Sequence, residues 1–354
     1  MTLYESIGGA EGCRKLSAAF YTRVARDPVL KPIFPKSFHC AIPAFAAYLS
    51  QFLGGGSEYA ERRWYLSLRE AHARFKIGSR EREAWLERMS EALDDVQAPE
   101  PARGSLRAFF EKSSRWLIGE PEAAGGALHS ELERQWHSQR ALEETVAAVR
   151  ATIQNPGEAT RAIALAGGPA VRSCFERDPV SLPGLLAVMC SSRDAKLLDF
   201  VRQMLTTHPE LLAQRHAYGR TLLHDAADAG NLQVVEWLLE LGADPNATDG
   251  GGHAPLYGVG NACTAETGAA VVHALVRAGA QVGAQDGVQR TTALHMAARR
   301  GNVQVAEALL DCGADIEARD RGGATPLRRA INCRKKAMAD FLRARGGRPK
   351  KPAG

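Results

Sequence analysis

His72 is the residue in this chain with the clearest capacity for chemistry. It sits in the polar run Leu68-Arg69-Glu70-Ala71-His72-Ala73-Arg74-Phe75-Lys76-Ile77. Ahead of it stand Phe20-Tyr21 and Ile33-Phe34-Pro35, and behind it Glu83-Ala84-Trp85-Leu86. A haem iron needs a neutral imidazole as proximal ligand, apolar walls that keep water away, and a few polar groups aimed at its open face. These residues supply all three. A lone histidine beside an apolar helix is more often a hydrogen-bonded surface or core residue, and Tyr21 and Trp85 taken singly read equally well as core rings. Their coincidence with His72 and Phe34 favours a pocket. In such a pocket the second ring nitrogen of His72 needs an acceptor to fix its tautomer. A hydroxyl from Tyr21 or an indole N–H from Trp85, donated to a diatomic ligand with partial negative charge, would be worth ~1.5–3 kcal/mol, where ~1.4 kcal/mol is tenfold in affinity.

Helices must carry these residues. From Glu11 to Val24, Leu16, Phe20 and Val24 form a stripe at i, i+4 spacing with Tyr21 beside it. Asp27-Pro28, Lys31-Pro32 and Pro35 then turn the chain. The stretch Ala41–Leu53 is apolar on nearly all sides, through Ile42, Phe45, Ala46, Tyr48, Leu49 and Phe52, so it is buried or walls a cofactor. Gly54-Gly55-Gly56 ends it. Arg80–Val96 is amphipathic, with Trp85, Met89 and Leu93 on one face, and Ala108–Ile118 closes the region.

Residues 1–120 resemble the truncated haemoglobins, and within them the group II class. The matching text is Leu3-Tyr4 with Ile7-Gly8-Gly9, Phe20-Tyr21, Asp27-Pro28-Val29-Leu30, Phe34-Pro35, Gln51-Phe52-Leu53-Gly54-Gly55, Tyr59, Leu68-Arg69, His72, Phe75-x-Ile77, and Ala84-Trp85-Leu86 with Met89. The resemblance implies a short two-over-two globin around a b-type haem (iron protoporphyrin IX). It puts His72 at the proximal ligand and Phe34 flat against the porphyrin. Tyr21 and Trp85 fall on the distal polar aromatics. Ala41 and Phe45 fall on the distal helix, with Tyr48 and Phe75 also lining the cofactor, and Arg63 and Lys76 meet the propionates. Two positions depart from the family pattern: Gly56 stands where Pro commonly follows the glycine pair, and Ala71 stands where Arg often precedes the proximal histidine. The second bears on propionate anchoring, not on ligation. His39 and Cys40 could reach the iron as an internal sixth ligand, although a surface histidine and a buried thiol are the simpler reading.

The 354 residues allow two or three domains. Large rings concentrate in the first part, whereas the later part is built mainly from Ala, Leu, Val and Gly, which points to two architectures. Seven cysteines, at 13, 40, 174, 190, 263, 312 and 333, include no C-x-x-C pair. Free thiols in a reducing cytoplasm are expected, and a haem without thioether links. The first residues lack the basic start and apolar core of a signal peptide, and no apolar run reaches ~18 residues, so no membrane span is expected. The net charge is +5, and its basic cluster, Arg343 to Lys351, reads as a solvated end, not as a nucleic-acid site.

Beyond a helical connector at residues 121–156, whose periodic face carries Leu132, Trp136, Leu142, Val146 and Val149, the chain repeats. Thr221-Leu222-Leu223-His224, Ala254-Pro255-Leu256-Tyr257, Thr292-Ala293-Leu294-His295 and Thr325-Pro326-Leu327-Arg328 begin 33, 38 and 33 residues apart. Gly230-Asn231 and Gly301-Asn302 recur, as do the closing pairs Gly242-Ala243, Gly279-Ala280 and Gly313-Ala314. This is similar to ankyrin repeats, whose period is ~33. The resemblance implies five or six repeats over 157–347, with weaker units near Thr160–Pro179 and Leu182–Leu212, then a basic tail at 348–354. It implies a protein-binding surface at turn tips such as Tyr218, Arg220, His253, Gln289, Arg290 and Arg321, with His224 and His295 bonding turn backbone. Residues 260–268 read as a lengthened loop between two helices.

The expectation is therefore an all-α cytoplasmic protein. Its globin binds dioxygen, nitric oxide or carbon monoxide, and its repeats dock it on a protein partner, as a gas sensor, adaptor or oxygen-binding protein. An enzyme, either a nitric oxide dioxygenase or a peroxidase, is the competing reading. It would need a separate reductase, because the chain holds no flavin or dinucleotide motif. A haem-free interaction protein is the third. Neither nucleic acid nor a membrane is an expected partner.

Overall fold

The computed structural model describes residues 2–35, 37–56, 59, 68–120, 130–177, 180–262 and 265–348. It is all-helical, with no strand among the described residues. Two compact units divide the chain. The first comprises residues 1–143 and 168–178, the second 144–167 and 179–354.

In the first unit, α1 (Leu3–Ser6) is closed by a reciprocal box: the Thr2 hydroxyl accepts the Glu5 N–H and the Glu5 carboxylate accepts that of Thr2. Helix α2 (Gly9–Val24) turns its predicted stripe inward, with Leu16, Phe20 and Val24 buried. Gly12 is needed there, because a Cβ would stand 1.7 Å from the Ile7 carbonyl oxygen. Helix α3 (Ala41–Phe52) packs on α2, pinned by the Ser17 hydroxyl donating to the Ile42 carbonyl at 2.8 Å. It ends where Gly54 takes the left-handed φ of 94° that side chains resist. Then come α4 (Leu68–His72), α5 (Ser79–Asp95) and α6 (Ala102–Leu117). The last begins six residues before the expected Ala108, since Ala102, Ser105 and Leu106 already face the core. Arg82 on α5, nearly buried, is held by Glu111 and by the Ser114 hydroxyl at 3.1 Å, which locks α5 to α6.

Helix α7 (Ser130–Ala151) runs across the division after Glu143. Leu132 and Trp136, read from the sequence as connector residues, are in the core of the first unit. Trp136 stands edge-on to Phe109 and Trp116, with centroids at 5.8 and 5.3 Å.

In the second unit, helix pairs stack. They are α10 (Ser181–Cys190) with α11 (Ala195–Thr207), α12 (Leu222–Asp228) with α13 (Leu232–Glu240), α14 (Pro255–Ala262) with α15 (Ala265–Arg277), α16 (Ala293–Arg300) with α17 (Val303–Asp311), and α18 (Pro326–Asn332) with α19 (Lys336–Ala344). The weak unit near Thr160–Pro179 divides instead. Its helix α8 (Glu158–Ala166) goes with the second unit and α9 (Pro169–Arg177) with the first. The extra residues near 260–268 do more than lengthen a loop. Ala265–Gly268 lie in α15, which is longer than its counterparts α13 and α17.

Successive turns are tied by backbone bonds, from Gly250 N–H to the Tyr218 carbonyl, Gly287 N–H to Gly251 and Arg321 N–H to Gln289. These bonds join successive repeats, each of which buries its apolar face by stacking on its neighbours. Of the expected turn-tip residues, Tyr218, Gln289, Arg290 and Arg321 are exposed. Arg220 is half-buried against Asp225 and Asp228, at 3.3 and 2.8 Å, and His253 is turned onto Asp249 at 2.9 Å.

His224 and His295 are structural, as their repeat position implied. In each, Nδ1 accepts the N–H of the capping threonine (Thr221 at 3.1 Å, Thr292 at 3.2 Å). In each, Nε2 donates to a carbonyl in the next turn, His253 or Ala324, at 3.0 Å. Burial pulls the His224 imidazole down to about 4. An unfolded histidine takes up its proton near pH 6.5. Below that the unfolded state binds the extra proton, so this group's contribution to stability falls with pH down to about 4, by roughly 3 kcal/mol in all. His224→Gln keeps an oxygen that can answer the Thr221 N–H but cannot titrate. The wild type is expected to lose about 3 kcal/mol relative to this variant between pH 7 and pH 4. Urea unfolding at both pH values measures the gap, and a gap that stays constant contradicts the assignment.

Candidate functional site

Helix α4 is too short to satisfy its own backbone, since the first four N–H groups of any helix lack an internal acceptor. A carboxylate from α7 fills part of this need. Glu143 accepts the Leu68 N–H at 2.6 Å and the Arg69 N–H at 3.5 Å, while Gln139 donates to it at 3.3 Å. On the other side, the Arg69 guanidinium lies 4.0 Å over the Trp116 ring and donates to the Trp116 carbonyl at 3.0 Å. The helix is therefore held from both α6 and α7.

At its end, His72 Nδ1 donates to the Leu68 carbonyl at 2.8 Å. Only the tautomer with its hydrogen on Nδ1 can do this, so Nε2 carries the lone pair. Nε2 has no hydrogen-bond partner among the described residues. His224 and His295, by contrast, have both nitrogens engaged. Burial lowers the His72 pKa, partly opposed by the Leu68 carbonyl and reinforced by Arg74. The imidazole is therefore neutral at pH 7, the state that binds metal. Among ring contacts, His72 meets Phe75 at 6.4 Å, and Phe75 carries the Arg74 guanidinium at 4.8 Å.

The predicted distal residues come together as one ring cluster. Phe20 is buried at its centre, 5.3 Å from both Tyr21 and Trp85, 5.9 Å from Phe45 and 6.3 Å from Phe34. Tyr21 stands edge-on to Phe34 and Phe45 at 5.9 and 6.2 Å. Phe34, Ala41, Phe45 and Trp85 are each half-buried, so the cluster presents an aromatic face that the chain does not fully cover. Burial pushes the Tyr21 hydroxyl up to about 12, so it keeps its proton and remains a donor. Neither this hydroxyl nor the Trp85 indole N–H has a partner among the described residues.

Tyr48 stacks between Phe45 and Phe52, at 6.2 and 5.8 Å. Its hydroxyl is buried without a well-formed hydrogen bond, and burial pushes its pKa far up. Lys76 is exposed, and Arg63 lies outside the described residues. Cys40 is exposed, not buried as the sequence suggested, and lies 4.0 Å from His39 Nδ1. Its position at the start of α3 leaves one side to solvent.

Sequence reasoning missed Phe38, which packs 5.0 Å from Tyr21, and the whole α7 contribution of Gln139 and Glu143. Trp136 was a usable signal, because a large ring on a periodic face needs a core to enter. No group of three or more metal-ligating side chains exists among the described residues. Any iron here would depend on a single imidazole and a macrocycle. A neutral histidine of fixed tautomer, a half-covered aromatic face and two donors without partners among the described residues fit a haem.

Comparison with known proteins agrees in outline. Bacterial-like globins match residues 2–118, an ankyrin repeat matches 218–250, and a three-copy ankyrin array matches 261–352. The chain is similar to group 2 truncated hemoglobin YjbI of Bacillus subtilis (strain 168), with 36% identity over 120 residues, which are 34% of this chain and 90% of that one. Its repeats are similar to the putative E3 ubiquitin-protein ligase XBAT31 of Arabidopsis thaliana, 30% identical over 40% of this chain and 33% of that protein. They are also similar to alpha-latrotoxin-Lg1a of Latrodectus geometricus, 31% identical over 36% of this chain and 9% of that protein. The chain thus spans a third or less of these two repeat-bearing relatives.

Proposed function

Because residues 2–118 of this chain belong to the bacterial-like globins and ankyrin repeats follow them, we propose that it is a cytoplasmic b-type haem protein that binds a diatomic gas, chiefly dioxygen, while its repeats hold it on a protein partner. The haem, when bound, would supply an iron able to take up a diatomic ligand. His72 holds that iron through Nε2, and its bond to the Leu68 carbonyl keeps the ring turned and the nitrogen basic. Phe34, Ala41, Phe45 and Phe75 exclude water, with Tyr48 stacked against Phe45. Lys76, which is exposed, would meet a propionate, a role the family resemblance implies for Arg63 as well. Tyr21 and Trp85 would donate to the ligand. The observation that carries the reading is a neutral histidine whose Nε2 has no partner among the described residues, whereas His224 and His295 have both nitrogens engaged. Absorption spectra of the purified full chain test it, recorded oxidised, reduced, and reduced with carbon monoxide. An intense band that shifts with carbon monoxide is expected. No band even with haem supplied ends the reading and leaves an ankyrin adaptor.

Tyr21→Phe removes one hydroxyl and little volume. A hydrogen bond to a charged acceptor is worth ~1.5–3 kcal/mol, so dioxygen is expected to dissociate roughly 10–100-fold faster from the variant. Carbon monoxide, a poor acceptor, should be released at nearly the wild-type rate. Because the hydroxyl titrates only near about 12, the effect should be flat from pH 6 to pH 9. Rapid-mixing release rates for both gases decide this, and equal acceleration of both would mean that the substitution had merely loosened the pocket.

In the sensor form of the proposal, ligand binding changes affinity for the partner, and reciprocally the partner changes affinity for the ligand. Partner binding that is equal with and without ligand rules that form out. Rapid conversion of nitric oxide to nitrate, sustained by an added reductase, would favour an enzyme instead.

A further inference from the structure

We propose that Glu143, on a helix beyond the globin-matched residues, is a positioning residue for the proximal ligand His72. The proposal rests on the haem reading above. Glu143 is nearly buried, and its carboxylate accepts the N–H of Leu68 at 2.6 Å and that of Arg69 at 3.5 Å. The Arg69 N–H and the Leu68 carbonyl belong to one peptide group. That carbonyl is the acceptor for His72 Nδ1–H, at 2.8 Å. The chain of bonds therefore runs from carboxylate to peptide to imidazole. A negative acceptor on the N–H end of an amide raises electron density at its oxygen, because linked hydrogen bonds polarise one another. A stronger acceptor on Nδ1–H makes Nε2 a better donor to iron and fixes the ring's rotation.

The same carboxylate sets the start of α4. The helix has five residues, and its first two N–H groups end on Glu143. Freeing them would let the first turn unwind and shift the Leu68 carbonyl away from the imidazole. Gln139 in turn holds Glu143, donating at 3.3 Å. The globin match ends at residue 118, so this support comes from α7 and is not part of the matched fold.

The test uses the full chain loaded with haem, as wild type, Glu143→Ala and Glu143→Gln. The iron–histidine stretching line of the reduced protein is read by resonance Raman, and haem loss is timed against an excess of apomyoglobin. Glu143→Ala should move the line to lower frequency, broaden it, and speed haem loss about 10–100-fold, the usual cost of removing a group that orients a metal ligand. Glu143→Gln keeps an oxygen for one N–H without the charge, and should fall between. A line at the wild-type position and width in both variants, even with a lowered melting temperature, would reduce Glu143 to a structural cap and overturn the proposal. If Glu143→Ala does not fold, Glu143→Gln with an unmoved line and unchanged haem loss does the same. A wild type that takes up no haem overturns the haem reading and this proposal with it. A wild type with a normal band and unresponsive variants overturns this proposal alone.

Discussion

His72→Gly is expected to abolish the iron–histidine bond and lower haem affinity by more than about 100-fold, beyond the 10–100-fold typical of losing a group that merely supports a ligand. Because the ring is only half-buried, a free imidazole is expected to reach the space its deletion leaves. Added imidazole should therefore restore the wild-type absorption band, and this rescue separates loss of the ligand from loss of the fold. His224→Gly and His295→Gly serve as controls. Their nitrogens already hold Thr221 with His253 and Thr292 with Ala324, so these changes should destabilise the repeats and leave the haem band untouched. If His72→Gly binds haem as tightly as the wild type, the iron is held elsewhere. His39 and Cys40 would then be examined first, since both are exposed at the start of α3.

What the sequence made legible follows from what periodicity can report. Spacing of 3.6 residues tells which face of a helix is apolar, and so Leu16, Phe20 and Val24, or Met89 and Leu93, are buried as read. The family resemblance, not periodicity, groups Tyr21, Phe34, Phe45 and Trp85, and the structure packs their rings around Phe20. Repeats at a period of 33 are plainer still, since each copy confirms the last. Periodicity does not report partners. The bond from Glu143 to Leu68 spans 75 residues, and nothing local to either marks it. A glutamate on a helix reads as a solvated charge until a neighbouring short helix with unsatisfied N–H groups is placed against it. The tautomer of His72 was likewise foreseen only as a requirement, because its acceptor is a backbone carbonyl and so carries no sequence signature.

The same limit explains why the first unit extends past residue 120, and it leads to the other large expected effect. Trp136 is fully buried and Leu132 nearly so, both on α7. Trp→Ala in a core costs about 3–5 kcal/mol and Leu→Ala about 2–5 kcal/mol. Together that approaches the whole stability of an ordinary domain, about 5–15 kcal/mol. A chain ending at Glu120 loses both side chains and Glu143, and should lack the near-ultraviolet dichroism and sharp unfolding transition of a packed domain. In the full chain, Trp136→Ala should lower the stability of the first unit by about 3–5 kcal/mol in denaturant titrations. Trp136→Phe should cost far less. Its ring still fills most of the space beside Phe109 and Trp116, and the indole N–H it deletes has no hydrogen-bond partner among the described residues. Removing a buried, unsatisfied donor relieves a penalty of about 1–3 kcal/mol, which offsets part of the lost volume. Equal losses for Ala and Phe would mean that the indole nitrogen matters and that its acceptor is still to be found. A stable, haem-binding fragment ending at Glu120 would mean that α7 packs on a globin already complete without it.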